Sequence, residues 1–199
     1  MKIHNNIIRI VLIAFLIQTT TMASGKTEEQ KYTVVSSNEE FEIRFYPSAT
    51  LATVYSTANT YREISSPGFR TLAGYIFGGN ESETQISMTS PVHMNISGDH
   101  SSMSFVMPSS YNPDNLPKPD NSRVIIEKTK EEYVAVVKFS GYASDDAIKK
   151  QSEKLRKLLT ENDIEFYGNF RYLGYSPPYQ FIKRRNEVIV SVRLSSQIN

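Results

Sequence analysis

The side chains able to do chemistry are few and unevenly spread. Beyond residue 24 every methionine (Met88, Met94, Met103 and Met107) falls between positions 88 and 107. Thioether sulfur at that density reads either as a soft-metal site of the copper(I) kind or as a conformable apolar lining. In strand register Met88, Ser90, Val92, Met94 and Ile96 share one face, as do Met103, Phe105 and Met107. That pattern favours core or pocket. His93 then points away from Met94. His93 and His100 are the only histidines past residue 24, and no Gly-x-Ser-x-Gly elbow accompanies them. Serine–histidine catalysis therefore lacks its parts. Phosphate-binding glycine motifs are absent too. The acidic pairs Glu39-Glu40, Glu131-Glu132 and Asp145-Asp146 are sequence neighbours. On a strand such neighbours face opposite ways, so solvated charge is the better reading.

Two basic runs remain. Lys149-Lys150, Lys154 and Arg156-Lys157 read as the solvated face of a helix. Lys183-Arg184-Arg185 is denser. It either holds an anion by charge-assisted hydrogen bonds or pairs with local acids, and the second is favoured. Zero cysteine removes disulfides, thiolate metal sites, iron–sulfur clusters and cysteine nucleophiles together.

The 199 residues are 39% hydrophobic and 22% charged, ordinary values for one globular domain. A formal charge of +1 gives no basic footprint for nucleic acid. Lys2 and Arg9 precede an apolar run from Ile10 to Ile17, and small residues follow to Ser24. That run falls short of the roughly 20 residues a membrane span needs, so residues 1–24 read as a signal peptide. An uncleaved interfacial anchor is the alternative. Cleavage removes Lys2 and Arg9, leaving a single domain over 25–199 with a charge of −1. The expectation is an exported protein, periplasmic or extracellular, with no stable membrane insertion once cut.

The elements that must position these residues come in two similar sets. Strands are expected at Tyr32–Val35, Phe41–Phe45 and Leu51–Tyr55, then around Gln85–Ile96 and Met103–Met107. Ser66-Pro67 reads as a helix start. Phe69, Leu72, Ala73, Ile76 and Phe77 form one apolar stripe, ended by Gly78-Gly79. A proline- and asparagine-rich connector from Tyr111 to Asn121 separates the halves. Strands at Val124–Lys128 and Tyr133–Phe139 lead to a helix capped by Ser144, and strands at Phe170–Tyr175 and Val188–Val192 close the set. The order strand, strand, helix, strand, strand thus recurs, over about residues 31–110 and 122–193. Two such units can pair their sheets into a closed or nearly closed barrel, which removes exposed edges. The expectation is α+β.

An ordered series of motifs runs through these elements. It comprises Met88-Thr89-Ser90-Pro91-Val92, Met103-Ser104-Phe105-Val106-Met107-Pro108 and Leu116-Pro117-Lys118-Pro119. Val137 to Ala143, Gly174 to Tyr179 and Arg184 to Val188 complete it. The series resembles the SOUL haem-binding protein family, over about Tyr32 to Val192. The resemblance implies a distorted eight-stranded barrel flanked by two helices, built from a duplicated unit. It also implies that the chain binds haem or a related tetrapyrrole without catalysing a reaction. Family members are thought to hold the ring against the first helix, with basic groups for the propionates. On that helix the candidates are Arg70, Thr71, Gly74 and Tyr75. His93 is the candidate axial ligand to iron, beside the Met-Thr-Ser-Pro motif. Two other readings stay open. One is a module for other flat amphipathic ligands, since the unit also resembles bacterial multidrug-sensing domains; the other is a tetrapyrrole-modifying enzyme.

Overall fold

The computed structural model describes residues 27–97, 100–177 and 180–193, so the expected leader at 1–24 lies outside the described residues. Strands β1 (Glu28–Glu29), β2 (Thr33–Ser37), β3 (Glu42–Tyr46) and β4 (Thr50–Ser56) precede helix α1 (Tyr61–Ile76). Strands β5 (Thr89–Ser90), β6 (Val92–Asn95), β7 (Ser101–Val106), β8 (Ile125–Lys128) and β9 (Glu132–Phe139) lead to helix α2 (Asp145–Glu161). Strands β10 (Phe166–Gly174) and β11 (Asn186–Val192) end the fold.

Nine strands form one antiparallel sheet in the order β2-β3-β9-β11-β10-β6-β7-β4-β8, and β1 pairs with β5 as a small parallel ribbon. The α+β class stands. The sheet is not closed by hydrogen bonds, so the expected distorted eight-stranded barrel, closed or nearly closed, goes unconfirmed. Closure would join β3 to β8, but β2 takes the free edge of β3, and β8 pairs with β4 alone. Both resulting edges are blunted. β2 carries a register shift between Val34 and Ser36, and β8 is only four residues long. Leaving β2 aside, the ladder reads the same from either end. The run β3-β9-β11-β10 meets β6-β7-β4-β8 at the β10–β6 pairing, each half having its opening strand lent by the other.

Helix α1 begins six residues earlier than the serine–proline signal suggests. Thr60 caps it, its Oγ1 accepting from the Glu63 N–H at 3.2 Å, while the Glu63 carboxylate accepts from the Asn59 N–H at 2.8 Å. This is close to a capping box, in which two orphan donors are satisfied reciprocally. Pro67 sits inside the helix with its ring exposed, where it forgoes one internal hydrogen bond. The earlier start shifts the buried face to Ile64, Gly68, Leu72, Tyr75 and Ile76, and leaves Phe77 exposed. Gly68 permits close packing on β7, since a Cβ there would lie 3.2 Å from the Met103 sulfur. Helix α2 starts at its expected Ser144 cap and buries Leu155, Leu158 and Leu159. The run expected to be one strand over Gln85–Ile96 is divided between β5 and β6, because Pro91 has no N–H for a ladder.

Both helices cover one face of the sheet. Beneath α1 lie Ala52, Val54, Met94, Met103, Phe105 and Tyr172; beneath α2 lie Ile43, Ala135, Val137, Val188 and Val190. Met94, Met103 and Met107 are buried in the first cluster and Met88 packs against it. The methionines are thus apolar filler and lining. The opposite face carries a buried ion pair. Arg44 Nη1 and Nη2 donate to Glu187 Oε2 and Oε1 at 2.8 and 3.1 Å, both side chains wholly inaccessible. Burial disfavours the guanidinium charge, but the Glu187 bonds, with Glu42, outweigh it. Tyr175 Oη and Arg185 Nε also donate to Glu187, and Arg185 Nη1 reaches Glu29 at 2.6 Å, tying down β1.

Candidate functional site

On the helix-covered side, a groove of about 520 Å³ runs between α1 and the central strands β6 and β10. Its size falls within the usual range for small-molecule sites. Strand alternation builds the floor: Val92 and Met94 from β6, Tyr172 and Gly174 from β10. Tyr172 donates its phenol proton to Asn186 Oδ1 at 2.7 Å, and Asn186 Nδ2 donates to the Gly141 carbonyl at 2.8 Å, which fixes the ring. Gly174 leaves room for it, since a Cβ there would lie 2.9 Å from the Tyr172 oxygen. Burial pushes the Tyr172 phenol well above its ordinary pKa, and that of Tyr61 upward too. Tyr61 meets Tyr172 edge-on at 5.5 Å. Along the wall, α1 supplies Phe69, Arg70 and Ala73.

The far lip comes from the β10–β11 loop. Arg184 donates from Nη1 to the carbonyls of Pro177 at 3.0 Å and Gln180 at 2.7 Å, and lies 4.8 Å from the Tyr142 ring. Among the described residues its buried Nε has no hydrogen-bond partner. A buried N–H left unpaired costs on the order of 1–3 kcal/mol, so this guanidinium has capacity for an anionic acceptor. The basic run is therefore divided. Arg185 pairs with Glu29 and Glu187, as the sequence favours, whereas Arg184 faces the groove.

Of the sequence candidates, Arg70 alone lines this groove. Thr71 belongs to a separate depression of about 130 Å³ bordered by Tyr55 and Arg123. Gly74 is exposed, with nothing within 4 Å of where a Cβ would stand. Tyr75 is core: it donates to the Pro117 carbonyl at 2.9 Å, and burial pushes its pKa up to about 12. His93, between Val92 and Met94, faces the other side of the sheet, where its Nε2 lies 2.7 Å from Gln30 Oε1. Burial, helped by the Arg171 charge, pushes its pKa down to about 3. The imidazole is neutral, hydrogen-bonded and turned from the groove. Among the described residues no cluster of three or more His, Cys, Asp and Glu could hold a metal ion.

The lining fits a flat macrocycle with acidic substituents. Its aromatic and thioether floor suits ring faces, the two arginines suit carboxylates, and the unpaired Arg184 Nε marks unused donor capacity. Sequence reasoning misses Tyr61, Tyr172 and Arg184 as groove residues. The alternation of Val92 and Met94 signals the floor, whereas the other three converge only through tertiary contacts.

The comparisons agree with this architecture. The family model described as SOUL heme-binding protein matches residues 27–191. Heme-binding protein 2 of Mus musculus is 33% identical over 156 residues, 74% of this chain and 76% of that protein. Heme-binding protein 1 of Xenopus laevis is 28% identical over 176 residues, 82% of this chain and 92% of that protein. Among solved structures, the EcmrR C-terminal domain superposes with a TM-score of 0.61 at 9% identity, covering 82% of this chain and 99% of that one. At such identity the likeness is one of fold alone. With the family model spanning both helices and ten of the eleven strands in full, the chain belongs to the SOUL heme-binding protein family.

Proposed function

We propose that the chain is an exported, non-enzymatic binder or carrier of haem or a related tetrapyrrole, held in the groove beside α1. The observation that carries this reading is the groove itself, an apolar and aromatic floor with Arg70 and Arg184 on opposing lips, in a chain of this family. Val92, Met94, Phe69 and Tyr172 would bear on the ring, and the two arginines would take its carboxylates. Haem, when bound, would supply an iron centre. Among the described residues the groove lining holds no histidine; it does hold the Met94 sulfur and the Tyr61 and Tyr172 phenols. Export rests on the charged, apolar and small-residue pattern of residues 1–24.

The test is a visible-spectrum titration of the chain from Gly25 with hemin. Saturation near one equivalent is expected. Arg184→Ala should weaken binding about tenfold or more, the order expected for a lost charge-assisted hydrogen bond. His93→Ala should leave affinity and spectrum unchanged. Loss of the Soret shift in His93→Ala would instead place the ring on the other face. A spectrum matching free hemin throughout would retire haem in favour of another flat amphipathic ligand. Equal affinity for iron-free porphyrin would show that the iron contributes nothing.

A further inference from the structure

A second compartment, about 460 Å³, is bordered by α2 and shares Met94 and Tyr172 with the α1 groove. Its lining sets the apolar side chains of Met94, Ile96, Ile148, Phe170 and Tyr172 beside the polar Asn59, Thr60 and Asn169. Its rim is cationic. Lys149, Ser152 and Arg156 recur at i, i+3 and i+7 along α2, so they share one face, and that face borders this space. The Arg156 guanidinium stands 4.7 Å from the Phe170 ring centre and 5.6 Å from that of Phe166. Both rings attract the cation.

Among the described residues no carboxylate forms an ion pair with Lys149 or Arg156, whereas Lys157, one residue further on, pairs with Glu161. Among the described residues Asp145 is the one acid lining the compartment, at the N-terminal end of α2. Its Oδ1 accepts from the Tyr61 N–H at 2.5 Å, joining the first turn of α2 to that of α1. Apolar side chains beside two cations that have no carboxylate partner among the described residues are complementary to an organic anion with an apolar tail.

We propose that the α2 compartment is a second ligand site, for the carboxylate and chain of a fatty-acid-like amphiphile, and that it fills independently of the α1 groove. The site does not depend on the haem reading, and it gives Lys149 and Arg156 a task that a solvated helix face would not. Calorimetric titration of the chain from Gly25 with dodecanoate tests it. One equivalent should bind. Lys149→Glu/Arg156→Glu should lower the affinity tenfold or more, and Lys149→Gln/Arg156→Gln should fall between. Ser152→Trp, which fills the compartment while keeping both charges, should also abolish binding; Arg70→Glu should leave it unchanged. Circular-dichroism melts should match across the set, because the substituted side chains are at most partly buried. With hemin at saturation, dodecanoate should bind as before. No binding to the parent chain would overturn the proposal, as would loss on Arg70→Glu with the α2 variants unaffected. Competition between hemin and dodecanoate would also overturn it, by showing one continuous site. Failure of hemin to bind while dodecanoate binds would sink only the haem reading.

Discussion

Glu187 accepts hydrogen bonds from two arginines and a tyrosine while wholly inaccessible to water, so its charge is needed by everything around it. Glu187→Gln should destabilise the fold by about 1–3 kcal/mol in urea unfolding, because the buried Arg44 charge then keeps only Glu42 as a carboxylate partner, and Arg185 and Tyr175 lose theirs at this position. Replacing both, as Arg44→Met with Glu187→Leu, should recover much of that loss. His93 gives a separate, pH-dependent effect. Its folded pKa of about 3 lies below the ordinary 6.5, so between these values the unfolded chain holds the extra proton. Stability from His93 is therefore complete above the unfolded pKa and falls as the pH drops toward the folded one, by up to about 1.4 kcal/mol per pH unit. Comparing His93→Gln with the parent chain at neutral and at mildly acidic pH should show the parent losing more stability on acidification. None of this is legible in the sequence. Arg44 and Glu187 are 143 residues apart, and a strand histidine shows alternation but not what it meets.

At the scale of elements, local chemistry is most legible where one signal stands alone. Ser144 with Asp145 and Asp146 places the start of α2 correctly, since acids in the first turn reinforce the cap. For α1 two signals compete. Ser66-Pro67 is the more conspicuous, but Thr60 and Glu63 cap the helix with two hydrogen bonds, and the helix tolerates Pro67 because its ring faces solvent. The longer helix adds Ile64 and Gly68 to a stripe that runs through Leu72, Tyr75 and Ile76, so Tyr75 is core, and Thr71 and Gly74 lie outside the groove. Thr60→Ala should cost about 1 kcal/mol of stability, whereas Ser66→Ala should change it by less than about 0.5 kcal/mol. Gly79 ends α1 with its N–H donating to the Gly74 carbonyl at 2.9 Å, and a Cβ there would lie 2.7 Å from that same oxygen. Gly79→Ala should therefore destabilise by about 1–3 kcal/mol, read as a lower melting temperature.

At the scale of the molecule, the recurrence of strand, strand, helix, strand, strand is enough to give the α+β class, but not to decide closure. Whether β3 pairs with β2 or with β8 is a contest between a neighbour in sequence and a strand on the far side of the connector, and both have strand-like patterns. The ladder also shows each half holding the other's opening strand, β3 beside β9 and β8 beside β4. Such reciprocal loans make the two halves obligate partners. Neither 27–114 nor 115–193 has a complete sheet, yet each carries the piece the other lacks. A chain cut between Asp114 and Asn115, both exposed in the connector, should give fragments that are unfolded singly and reassemble when mixed, visible as a recovered sheet spectrum and one co-eluting species. The molecule is in that sense a heterodimer whose subunits happen to be joined by a peptide bond.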